Sequence, residues 1–86
     1  MRTVHKFPLH PGQRITLPEV HSVRHVADQF GTDCAWIELD LNCARAQDYT
    51  ILKVGTGQTI PPAAMYLGTV LESHGQYVWH YYAVPA

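Results

Sequence analysis

The run Gln76-Tyr77-Val78-Trp79-His80-Tyr81-Tyr82-Ala83-Val84 constrains the fold more than any other segment. Extended, it sets Tyr77, Trp79 and Tyr81 on one face and Val78, His80, Tyr82 and Val84 on the other, because successive side chains of a strand alternate. Both faces carry too much apolar surface to be left in water. The segment is therefore expected at the centre of the fold or in a subunit interface.

Strand-like runs recur along the chain at Thr3–Phe7, Gln13–Leu17, His21–Asp28, Ala35–Leu41, Tyr49–Val54, Met65–Glu72 and Gln76–Val84. Between them stand turn signals: His10-Pro11-Gly12, Pro18-Glu19, Phe30-Gly31-Thr32-Asp33, the polar stretch Asn42 to Asp48, Gly55-Thr56-Gly57 through Pro61-Pro62, and Ser73-His74-Gly75. Short strands at such spacing predict an all-β domain over residues 1–86, with about seven mainly antiparallel strands forming a small sandwich or barrel. Ser73-His74-Gly75 predicts a C-terminal hairpin. Helical propensity is confined to Ala44-Arg45-Ala46-Gln47 and to a single turn at Pro62–Met65. In Ala35–Leu41, the residues Ala35, Ile37, Leu39 and Leu41 form a core face, and Trp36 lies on the opposite side with Glu38 and Asp40. An indole there calls for a cover from another strand, a subunit or a ligand.

A domain of 86 residues has a small core, typically supplying only about 3–5 kcal/mol, and usually relies on disulfides, a metal or oligomerisation. Cys34 and Cys43 are the only cysteines. Separated by an extended run, they stand about 20 Å or more apart, against a Cα limit of roughly 7 Å for a bridge. Six histidines are present, yet no metal site is expected: His21 and His25, four apart on one face of a strand, are about 13 Å from each other. Homo-oligomerisation is the support that remains. No leader-like or membrane-spanning stretch is visible, which points to the cytosol and to no membrane partner. A formal charge of −1 with dispersed basic residues gives no nucleic-acid footprint, although Lys6, Arg14, Arg24 and Lys53 are candidates for a pocket assembled in three dimensions.

The most site-like segment is Lys53-Val54-Gly55-Thr56-Gly57-Gln58. Glycines flanking a threonine let backbone N–H groups approach an anion, and the preceding lysine adds charge. It matches neither a Walker loop nor a dinucleotide fingerprint, and a tight turn is the simpler reading. The candidate ligand residues are Lys53, Gly55, Thr56, Gly57 and Gln58 for phosphate, Lys6 or Arg24 for added charge, and Trp36 or Tyr66 for stacking a base. No catalytic residues, metal or cofactor are assigned. Neither cysteine has a nucleophile's context, and Glu38 with Asp40 reads better as the solvated side of a strand than as a glycosidase-like pair.

Taken in order, Lys6-Phe7-Pro8-Leu9, Gly31-Thr32-Asp33-Cys34-Ala35-Trp36, Gly55-Thr56-Gly57-Gln58-Thr59-Ile60-Pro61 and Tyr66-Leu67-Gly68-Thr69 resemble a family of short, uncharacterised proteins encoded by tailed phages and prophages. Val20–Phe30 and the tyrosine-rich end depart from that pattern. The resemblance carries over no activity and no site residue. It implies an accessory protein in the cytosol of an infected bacterium, and by analogy a non-catalytic binder of a phosphate-bearing small molecule that sequesters a nucleotide immune signal. The alternative is a small β module, interacting or structural, that binds a host or phage protein through Trp36, Tyr77, Trp79 and Tyr81.

Overall fold

The computed structural model describes residues 1–86. It contains seven strands: β1 Arg2–Pro8, β2 Arg14–Pro18, β3 His21–Gln29, β4 Thr32–Asp40, β5 Ala46–Gly55, β6 Met65–Glu72 and β7 Tyr77–Pro85. They form a three-stranded sheet in the order β1-β4-β3 and a four-stranded sheet in the order β2-β5-β7-β6. Every pairing is antiparallel. The architecture is a small sandwich, and β7 occupies an interior place in the larger sheet, as its two apolar faces require.

One hydrophobic cluster fills the space between the sheets. Leu9, Ala35, Ile37 and Leu39 contribute from the β1–β4 side, and Ile15, Leu17, Ile51, Leu67, Val70, Tyr81 and Ala83 from the other. Alternation along each strand produces this set: Ile37 pairs with His5 and Val23, and the residues on either side of each in sequence face outward. The outer face of the three-stranded sheet is accordingly charged. Glu38 at its centre accepts hydrogen bonds from Arg2 of β1 and Arg24 of β3.

Three local features depart from simple alternation. A bulge between Val23 and His25 inserts Arg24, so that His21 keeps the inward parity of Val23 whereas His25 turns outward onto Trp36, ring centroids 5.8 Å apart. The two histidines expected on one face are thus on opposite faces, because an inserted residue inverts the side-chain parity beyond it. The second bulge lies between Tyr66 and Gly68. There Gly68 meets β3 so closely that an added Cβ would stand 2.6 Å from Val26 Cβ. Finally, the β3–β4 hairpin turns through Phe30 and Gly31, both with positive φ, the backbone of a two-residue type I′ turn.

Leu41, expected in the core, lies outside β4 and is 46% exposed. Asp40 accepts the Asn42 N–H through its side chain and turns the chain out of the sheet. The segment with helical propensity is partly strand instead: Ala46 and Gln47 pair with Pro18 and Leu17, tertiary pairing overriding a weak local preference. The turn expected at Pro62–Met65 falls one residue earlier, at Pro61–Ala64, closed by the Ala64 N–H on the Pro61 carbonyl, and Met65 already begins β6. Both cysteines are unbridged.

Gly68→Ala is expected to destabilise the domain by about 1–3 kcal/mol, as overpacking does, with Val26→Ala recovering part of the loss in a double-mutant cycle read by urea unfolding. Phe30 is 99% exposed and buries nothing to offset its left-handed backbone, which costs an L-residue about 1–2 kcal/mol. Phe30→Asn should therefore raise stability by about 1 kcal/mol, seen as a higher urea midpoint at unchanged slope.

Candidate functional site

The antiparallel match of β5 with β7 decides where the glycine turn and its lysine point. Lys53 pairs with Tyr81, Val54 with His80 and Gly55 with Trp79. Lys53 shares the inward parity of Ile51, and Thr56 reaches the opposite side of the sheet. The lysine and the turn therefore serve different surfaces.

Inward, at one end of the sandwich, Lys53 lies over the indole of Trp79 with its Nζ 4.5 Å from the ring centroid. It forms no ion pair, whereas Arg2, Arg24 and Arg45 each hold a carboxylate. The lysine borders a cleft of about 410 Å³ between the β1–β2 loop, the β3–β4 hairpin and the end of β6, lined also by His10, Asp28, Thr32, Asp33, Glu72 and Tyr81. Three carboxylates face one ammonium there, and each already accepts a neutral donor. Asp28 takes the Gly31 N–H, Asp33 the Tyr81 hydroxyl and Glu72 the Trp79 indole N–H. Burial, and after it the hydrogen bond to the Asp33 carboxylate and the charges of Asp33 and Glu72, push the Tyr81 phenol well above its ordinary range.

Outward, the glycine turn is closed on itself. The Gln58 N–H donates to the Gly55 carbonyl, and the Gln58 side-chain oxygen accepts the Gly55 N–H. Gly57 has φ 91°, the left-handed geometry that a glycine adopts without strain. One amide of the expected anion cradle is thus already used, and the Thr56 and Gly57 N–H groups have no acceptor within the chain. The Thr56 hydroxyl meets His80 Nε2 at 2.9 Å, His80 Nδ1 meets the Thr69 hydroxyl at 3.0 Å, and Thr69 bonds the Tyr66 hydroxyl. Thr56 and Tyr66, named separately from sequence, are joined through His80.

The remaining candidates occupy the other sheet. Trp36 pairs with Lys6 across β1 and β4 and is covered by His25. Lys6 reaches over to the Gln29 side-chain oxygen at 2.9 Å, and Arg24 is held by Glu38. No single pocket gathers all nine residues: Lys53 faces the end cleft, Thr56 and Tyr66 the outer side of the larger sheet, and Lys6, Arg24 and Trp36 the outer side of the smaller one. Sequence reasoning assigned no ligand role to His80, Asp33 or Glu72, and the docking patch expected from Trp36, Tyr77, Trp79 and Tyr81 does not form, because Tyr81 is buried in the core and Trp36 lies on the other sheet. The relation of His80, Asp33, Glu72 and Tyr81 to Lys53 and Thr56 arises from pairing between strands that are not consecutive, which leaves no local pattern.

A family described as a domain of unknown function, DUF7352, matches residues 1–86. The chain belongs to this family. No curated protein and no solved structure matches it. For this DUF7352 chain, the geometry rather than a relative has to supply the chemistry. No helix is long and apolar enough to cross a membrane.

Tyr81 gives the end cleft a measurable signature. The folded state holds the phenolic proton more tightly than the unfolded chain, whose tyrosines ionise near pH 10. Its contribution to stability is full below about pH 10 and is lost as the pH rises above it, because the unfolded state then binds fewer protons. Wild type should therefore lose stability between about pH 10 and 11 more steeply than Tyr81→Phe, measured by urea unfolding. Equal slopes would assign the alkaline loss to other groups. At neutral pH the variant should cost about 1.5–3 kcal/mol, the range for a hydrogen bond to a charged acceptor.

Proposed function

We propose that the protein is a non-catalytic binding module that takes a small phosphate-bearing molecule at the end cleft, with Lys53 as the anion contact. The observation that carries this reading is an inward-facing ammonium without a carboxylate partner, laid over an indole at the rim of a 410 Å³ cleft. A phosphate group would complete the lysine's charge pairing, while Trp79, covered by that lysine, lines a neighbouring surface with Gly55, Thr56 and Tyr77 and not the cleft itself. The carboxylates Asp28, Asp33 and Glu72 retain acceptor capacity for sugar hydroxyls, the role an acidic side chain plays toward ribose in dinucleotide sites. Their combined charge opposes a polyanion. The preferred ligand is accordingly a nucleotide with few charges, of the mononucleotide, cyclic oligonucleotide or ADP-ribose kind, in preference to a triphosphate.

In the cytosol of a phage-infected bacterium, the setting implied by the sequence resemblance, such a module acts by holding a nucleotide signal of host immunity rather than by converting it. Support for binding without turnover comes from the side chains themselves. Cys34 and Cys43 direct their thiols at the carbonyls of Thr32 and Arg45, and neither is paired with a base. Glu38 is occupied by two arginines.

The test is thermal unfolding against a panel of cyclic oligonucleotides, ADP-ribose and mononucleotides, with ATP as the polyanion. Ligand at about 100 times its dissociation constant adds roughly 2.7 kcal/mol to the folded state, a melting shift of several degrees at this size. The expected result is a selective shift that disappears in Lys53→Ala, persists in Lys6→Ala on the opposite sheet, and is accompanied by recovery of the intact molecule after heat denaturation. A shift retained in Lys53→Ala would sink the site, recovery of a converted product would sink the non-catalytic reading, and silence across the panel would turn attention to a host or phage protein.

A further inference from the structure

His21 and Met65 meet at the end of the sandwich remote from the cleft. β3 and β6 both begin there, and their far ends bring Asp28 and Glu72 to the cleft. His21 keeps the inward parity of Val23, and Met65 pairs with the buried Ala83, so the two side chains approach each other between the sheets. His21 Nδ1 lies 2.7 Å from the Pro18 carbonyl oxygen. A carbonyl only accepts, so Nδ1 carries a proton and donates it. In the neutral ring Nε2 then presents a bare lone pair, and it is aimed at Met65 Sδ, 3.3 Å away. The thioether has no hydrogen to give. Two acceptors thus face each other in a part-buried place, and the contact is favourable only when they share a positive centre.

The same atoms suit a soft metal ion. A thioether sulfur selects copper(I), which imidazole nitrogen also binds well. Both ligands are neutral, so a monovalent ion leaves less uncompensated charge here than a divalent one. Bond lengths of about 2.0 Å to imidazole nitrogen and about 2.3 Å to sulfur set the donors about 3.5 Å apart at a tetrahedral angle, close to the 3.3 Å found. The supporting contacts are in place as well. A ligating histidine usually donates its other ring N–H to a carbonyl or carboxylate, as Nδ1 does to Pro18, and Tyr49 stands edge-on to the imidazole with ring centroids 6.4 Å apart. His21 also lines a surface crevice of about 40 Å³ with Ser22, Arg2 and the carboxylates Glu38 and Asp40, which gives a cation a way to the ring.

We propose that His21 and Met65 form a copper(I) site, ligating through Nε2 and Sδ, with a water or small exogenous ligand completing the coordination. The ion supplies the positive centre that the two facing acceptors lack, and the Pro18 carbonyl keeps the imidazole in the tautomer that binds it. The site is independent of the end cleft and of any ligand there.

The test is a titration with silver(I), a soft monovalent ion that is inert to redox change, repeated with copper(I) under anaerobic reducing conditions. The protein carries Cys43→Ser, which removes the more accessible of the two free thiols, and is labelled at the methionine methyls for NMR. At one equivalent of either ion, the Met65 methyl and His21 Nε2 resonances are expected to shift to saturation. The Met1 methyl, 73% exposed and outside the site, should stay in place. The melting temperature should rise by several degrees. Met65→Leu, a volume-conserving change that keeps the fold, should weaken binding about tenfold or more. A Met65 methyl that does not move would overturn the proposal, and so would a thermal shift undiminished in Met65→Leu, which would assign the ion to Cys34.

Discussion

Tyr81 is the contact on which the rest of the arrangement leans. It sits on β7, flanked on both sides by paired strands, and it is the largest fully buried side chain. Its ring fills the space between the sheets, and its hydroxyl reaches Asp33 at the start of β4 in the opposite sheet. One residue therefore supplies apolar volume to the core and a directed bond across it. The same bond fixes the floor of the end cleft, since Asp33 and Tyr81 both line it beside Lys53. A sandwich with so small a core gains from such a cross-link, because apolar packing alone leaves the relative position of two sheets loosely specified.

Close approach of the sheets elsewhere depends on what is missing from a side chain. Gly68 brings β6 against Val26 of β3, and the bulge preceding it directs Leu67 into the core. The bulge at Arg24 works in the same way on the other sheet. It keeps Val23 and Val26 packed against the core despite their odd spacing, and releases His25 to cover Trp36. Two irregularities thus let both sheets keep apolar residues inward where strict alternation would have exposed one of them.

Legibility in the sequence followed the range of the interactions involved. The strands of the C-terminal hairpin, its turn, and the inward set Ala35, Ile37 and Leu39 were readable because alternation and glycine-containing turns are local signals. Leu41 was misread because the Asp40 side chain ends the strand, and His21 with His25 because a bulge leaves no mark in composition. The candidate ligand residues suffered most. Lys53 and Thr56 are three positions apart and look like parts of one loop, yet the pairing with β7 sends one into the cleft and the other to the outer face. His80, the residue that links Thr56 to Tyr66, is apparent only once β5 and β6 are known to flank β7.

The sheet order also sets a schedule for the growing chain. β1, β3 and β4 are complete by residue 40 and can pair as soon as they leave the ribosome, but β7, the interior strand of the other sheet, is the last of the seven to be made. Until it arrives, the β2–β5 pair and β6 have no strand between them through which to join, and Ile37, Leu39 and Val26 wait without the layer that buries them. Nascent chains of this protein therefore pass through a half-sandwich with an uncovered apolar face, the kind of intermediate in which association between chains competes with folding.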